Sequence, residues 1–94
     1  MTNRELTRRV IKRIKNPKNW TQHTLARTAG GHGVLPTHRA ARSWCAFGAA
    51  IAEAGKVDAR TWKNWAADRG RDIIYRNDIG SHDEILRLLR GLAR

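Results

Sequence analysis

The stretch Thr2 to Lys15, TNRELTRRVIKRIK, constrains the fold more than any other part of the sequence. At 100° per residue, Leu6, Val10, Ile11 and Ile14 fall within an arc of about 140°. Arg4, Arg8, Arg9, Lys12, Arg13 and Lys15 fill most of the remaining circumference. Thr2 and Glu5 have the spacing of a capping box, in which each side chain satisfies a free amide at the helix start. Asn16-Pro17 stops the helix, because the residue before a proline disfavours the α region. The chain must therefore supply an apolar surface for one side of this helix and leave the other side, almost wholly cationic, in water.

The downstream segments predict that partner surface. Trp20 to Leu35 has no helical stripe. Thr21, Thr24 and Thr28 favour extended backbone, and Gly30-Gly31-His32-Gly33 favours a turn. A short hairpin is expected, with strands near 20–28 and 33–35; a flexible loop is the alternative. A second helix is expected over His38–Ala54, capped by Thr37, with Ala41, Trp44, Cys45, Gly48 and Ala52 on one side and Gly55 as a left-handed end. Asp58 caps a third helix, Ala59–Arg69, closed by Gly70. Asp72 to Gly80 reads as a link in which Ile73, Ile74 and Tyr75 form a short strand or fill the core. Ser81 and Glu84 form a second capping box, opening a last helix that buries Ile85, Leu88, Leu89 and Leu92 and turns Arg87, Arg90 and Arg94 outward. The expected fold is a single domain, 1–94, of class α+β: four helices, with a short β-hairpin between the first and second.

Hydrophobic residues make up 40% of the 94 positions, enough for one small core. The four tryptophans, Trp20, Trp44, Trp62 and Trp65, carry much of its area. No apolar run is long enough for a bilayer, and no secretory signal is visible. A single cysteine makes no intrachain disulfide, which suits a reducing compartment and points to the cytoplasm. The net charge of +11 favours polyanions: nucleic acid, a nucleoprotein or an acidic protein face.

The residues that suggest chemistry have plainer explanations. Cys45, read as two turns inside the second helix, lies far from the helix start that would stabilise a thiolate. Its apolar neighbours make it a buried packing thiol; catalysis would require a histidine brought in by the fold. His23, His32, His38 and His82 have no metal-binding spacing, so neither metal nor cofactor is expected. Asn77-Asp78 before Gly80 reads as a turn. Helices two and three, joined by Gly55-Lys56-Val57, fit a DNA-reading helix-turn-helix poorly, with Ile51 and Thr61 where alanine and a branched apolar residue are usual. The first helix is the better electrostatic candidate: residues 1–18 hold seven Lys and Arg against one Glu.

The ordered set NWTQHTLAR, WCAFGA and ND…SHDEILRLL resembles a family of small bacterial and phage proteins. These carry W-T-Q-x-x-x-A-R, a glycine turn and proline, W-C-x-x-G-A, and a late N-D before a leucine-rich helix. The resemblance covers about residues 19–92, leaving most of the basic first helix outside. It marks Trp20, Gln22, Ala26, Arg27, Trp44, Cys45, Gly48, Ala49, Asn77 and Asp78, and implies no activity. The chain departs from the pattern at Arg76, where the family usually has Trp. The expected function is non-enzymatic binding of a polyanion through Arg4, Arg8, Arg9, Lys12, Arg13 and Lys15, assisted by Arg87, Arg90 and Arg94. The alternatives are a phage-type inhibitor or adaptor that binds an acidic protein surface, and an enzyme that uses Cys45.

Overall fold

The computed structural model describes residues 1–55 and 58–94. Helix α1, Asn3–Ile14, begins where the capping pattern puts it: the Thr2 hydroxyl accepts the Glu5 N–H at 3.1 Å. Leu6, Val10 and Ile14 are fully buried, while Ile11 is only partly so. The fourth buried position is Thr7. Its hydroxyl donates to the Asn3 carbonyl at 2.8 Å and accepts the Trp65 indole N–H at 2.9 Å, which makes a polar group affordable inside the core. A single 3₁₀ turn, Pro17–Asn19, follows the expected stop and is capped by Asn16.

Two short strands come next, β1 (Ala26–Thr28) and β2 (Ala41–Trp44), paired antiparallel with Ala26 opposite Trp44 and Arg27 opposite Ser43. The expected hairpin is only partly present. Chain reversal at 28–32 occurs, with the Thr28 N–H on the His32 carbonyl at 2.9 Å and Gly31 at φ 88°. Residues 33–35 supply only a single bridge, Arg27 to Gly33. The true partner of β1 lies in what the sequence predicts as the first half of the second helix. Alanine and arginine in 38–44 favour helix, but pairing with a neighbouring segment overrides that weak preference. The backbone here is satisfied from the loop before β1: the Thr21 N–H donates to the Trp44 carbonyl at 3.1 Å, and the Cys45 N–H to the Leu25 carbonyl at 3.2 Å.

Helix α2 is therefore short, Ala46–Ala54, and Cys45, not Thr37, is its N-cap. Its small residues let it lie at the centre of the core, between α1 and the third helix. A Cβ at Gly48 would collide with the Leu25 backbone carbonyl, so this close approach requires glycine. Gly55 closes the helix in right-handed geometry, φ −54°, rather than as a left-handed cap.

Helix α3 runs over Ala59–Ile79, ten residues beyond its expected end, and includes the predicted link. Asp58 caps it, its carboxylate accepting the Thr61 N–H at 3.2 Å. Gly70 does not stop the helix; it packs against the Phe47 ring. The buried face is Thr61, Trp65, Gly70, Ile73 and Asn77, in which three of the five are polar or glycine. Arg69, the predicted last residue of this helix, is exposed. Helix α4, His82–Leu92, starts at Ser81, whose hydroxyl accepts the Glu84 N–H at 3.2 Å. It buries Ile85, Leu86 and Leu89, with Leu88 and Leu92 only partly covered, a small rotation from the expected face. The architecture is mostly helical α+β, with a two-stranded antiparallel sheet between α1 and α2 in the chain.

Candidate functional site

Three places in this fold hold the residues singled out by the sequence: the outer face of α1, the outer face and end of α4, and the junction where α2, α3 and the loop before β1 meet. On α1, Arg4, Arg8, Arg9, Lys12 and Lys15 are exposed. None of the five makes an ion pair among the described residues. Arg13 differs. Its guanidinium binds the Glu53 carboxylate of α2 through Nε and Nη2, both at 2.6 Å, and lies 4.6 Å from the Trp44 ring centroid. It ties α1 to α2 and β2, so its charge is already answered within the chain. Arg9, Lys12, Arg13 and Glu53 line an open cleft of about 530 Å³. Arg87, Arg90 and Arg94 are exposed, as expected.

The junction gathers the residues of the sequence motif. Asn77 is buried at its centre, 1% exposed, and is not part of a turn. Its Oδ1 accepts the Trp20 indole N–H at 2.8 Å and the Ala46 N–H at 2.9 Å. Its Nδ2 donates to the Thr21 carbonyl and to Asp78 Oδ1, both at 3.1 Å. All four hydrogen-bonding positions of the amide are thus used. Gln22 donates to the Asn77 carbonyl at 3.0 Å and to the Gly80 carbonyl at 2.9 Å. Asp78 accepts the His23 N–H at 3.0 Å, which helps hold His23 at φ 68°. Arg27 binds Thr21 Oγ1, the Gly31 carbonyl and the Gln22 carbonyl, folding the loop on itself. The Trp44 indole donates to the Pro36 carbonyl at 3.0 Å. Trp20, Gln22, Arg27, Trp44, Cys45, Gly48, Asn77 and Asp78 together close the fold, with their polar groups spent on one another or on backbone.

Cys45, expected two turns inside a helix, is instead the N-cap of α2 and stands at the helix start, where its Sγ accepts the Gly48 N–H at 3.2 Å. That position favours a thiolate. Burial opposes it and wins: desolvation pushes the thiol above its ordinary value, the Gly48 N–H pulls it down, and the nearby Asp78 charge adds a smaller upward push. The fold sets one histidine on the same cleft as Cys45. His23, Asp78 and Asn77 line, with Cys45, a cleft of about 260 Å³. It adjoins an open apolar groove of about 560 Å³ over Phe47, Gly70, Ile74, Tyr75 and Ile79. Among the described residues no three His, Cys, Asp or Glu side chains gather as a metal set. No described helix is long and apolar enough to cross a membrane.

Sequence reasoning missed the roles of Glu53 and Asn77. Asn77 carries a signal in the sequence: it falls four residues after Ile73 on the face that also holds Trp65 and Gly70. Glu53 carried none, because its partner is forty positions away.

These features define a class, a small basic helical α+β domain locked by a buried asparagine and cationic along its first helix. The chain belongs to a family described as "Family of unknown function (DUF6197)", whose model matches residues 1–94. The match takes in α1, which the motif resemblance had left largely outside. No curated protein and no solved structure matches the chain.

Proposed function

We propose that the protein is a non-enzymatic binder of a polyanion, nucleic acid or nucleoprotein, through the outer face of α1. One observation carries this reading: Arg4, Arg8, Arg9, Lys12 and Lys15 stand in water with no acidic partner among the described residues, while the apolar side of the same helix is anchored in the core. Arg13 leaves the expected set, since Glu53 holds it. Phosphates neutralised by such a face release counterions, and affinity then falls steeply with salt. Binding to duplex and single-stranded nucleic acid, measured at two salt concentrations, tests this. The wild-type chain binds, and Arg8→Glu with Lys12→Glu weakens binding by tenfold or more. Affinity unchanged by that reversal would refute the reading.

The adaptor alternative draws support from the exposed apolar groove at Ile74, Tyr75 and Ile79, the last two each 62% exposed. A pull-down that returns one acidic protein after nuclease treatment would favour it. The enzyme alternative has His23 on the same cleft as Cys45 in its favour and the raised thiol against it.

A further inference from the structure

Resting on the polyanion reading, we infer that the partner is a duplex, gripped along its two phosphate backbones by α1 and α4 together, in preference to a single strand. Three observations lead there.

The first is the shape of the stripe. Arg4, Arg8, Lys12 and Lys15 recur on one line of α1, within about 80° of arc, and span about 16 Å of helix axis. A straight, rigid row of charges matches a regular backbone, which rises about 3.4 Å per nucleotide in a duplex strand. Arg9 widens the row on the side facing Glu53.

The second is the neighbouring helix. α4 lies antiparallel beside α1. At one end the His82 Nε2 meets the Ile14 carbonyl at 2.7 Å. At the other, Leu92 shares a cleft with Asn3, Arg4 and Thr7. Packed helices lie about 8–10 Å apart, so exposed Arg90 and Arg94 form a second cationic ridge beside the first. Two such ridges suit the two backbones that border a minor groove about 6 Å wide. Four acidic groups lie near this surface. Glu5 is exposed on α1, Asp83 is exposed at the start of α4, Asp68 is paired with Arg69 at 3.3 Å, and Glu53, beside Arg9 and Lys12, is paired with Arg13.

The third is the placement of the aromatic rings. Single strands are held by stacking their bases on aromatic side chains. Here the rings are engaged within the fold. Trp20 bonds Asn77 and packs 5.1 Å from the His82 ring. Trp44 is covered by Arg13. Trp62 meets Phe47 edge-on at 4.7 Å, and Trp65 is 1% exposed. Tyr75 is exposed, but it lines the α3 groove, where no α1 cation is found. The cationic surface thus has charge for a backbone and no platform for a base.

The test compares a 20-base-pair DNA duplex, an RNA duplex of the same length, each single strand, heparin and poly-glutamate, by anisotropy competition at fixed salt, with circular dichroism to confirm folding of each variant. The DNA duplex is expected to bind at least tenfold tighter than the single strands, and more tightly than the RNA duplex, whose minor groove is wide and shallow. Arg90→Glu with Arg94→Glu is expected to weaken duplex binding about tenfold, and Glu5→Gln to strengthen it. Single strands or poly-glutamate binding as tightly as duplex would overturn the duplex assignment while leaving the α1 surface in place. Duplex affinity unaltered by the α4 reversal would overturn the two-helix grip. Failure of every polyanion, heparin included, to bind more tightly to wild type than to Arg8→Glu with Lys12→Glu would overturn both this inference and the reading beneath it.

Discussion

Replacing Asn77 with alanine should be among the most destabilising single changes in the chain, and the structure gives its size. The substitution removes the acceptor shared by the Trp20 indole and the Ala46 N–H, the latter buried. A buried donor left without a partner costs about 1–3 kcal/mol. The half-buried indole adds about 1 kcal/mol on the same scale. The Thr21 carbonyl and Asp78 lose a donor too, but Asp78 keeps the His23 N–H, so this part is small. The total is about 3 kcal/mol, against roughly 5–14 kcal/mol for a domain of this length. Urea unfolding followed by circular dichroism should show the midpoint fall with little change in slope, and the melting temperature should drop by roughly 12–24 °C. Asn77→Asp provides a second arm. It retains an acceptor for both donors but sets an oxygen where Nδ2 now donates to Asp78 at 3.1 Å. That variant should be destabilised at neutral pH and regain stability as acid protonates the pair. A loss below about 0.5 kcal/mol in Asn77→Ala would refute the argument that this amide holds the loop, α2 and α3 together.

Gly48→Ala should cost about 1–3 kcal/mol in urea unfolding, because its methyl meets the Leu25 backbone carbonyl rather than a movable side chain; a neutral result would mean the loop yields freely. The Cys45 thiol should react with a disulfide reagent at neutral pH at least about tenfold more slowly in the native chain than in denaturant, since burial holds it protonated; fast native reaction would contradict the packing role and revive catalysis. Asp58 is held at about 2, below its ordinary value of 3.8, first by the Thr61 hydroxyl and next by the chain's amino terminus. A depressed carboxylate stabilises the fold above its unfolded value and loses that contribution as pH falls, so Asp58→Asn should flatten stability against pH between about 4 and 2. An unchanged acid profile in that variant would exclude Asp58 as the cause.

The sequence disclosed most where a local rule operates alone. The α1 start at Thr2, its stop at Asn16-Pro17, the Asp58 cap and the Ser81 start are set by side chains within three residues of the backbone they satisfy. It disclosed least where a distant segment decides. Residues 38–44 look helical because alanine and arginine favour helix, yet 41–44 is a strand because β1 offers it a partner. α3 looked finished at Gly70 because its buried face passes through Thr61, Gly70 and Asn77, residues that do not register as apolar. The candidate site divides the same way. The exposed cations of α1 followed from periodicity alone, whereas Arg13 was lost to a carboxylate on another helix. The motif residues are visible in the sequence as an ordered set, but their convergence on Asn77 exists only in the folded chain.

The slope of log affinity against log salt for a DNA duplex tests the central claim most directly, because it counts the cations that meet phosphate. Five free charges on α1 predict a slope of about −4.5 from that helix, becoming shallower by about one for each neutral replacement at Arg8 or Lys12. A slope near zero, or one that the replacements leave unchanged, would mean that the exposed charges of α1 are only solvated and that the partner is bound elsewhere.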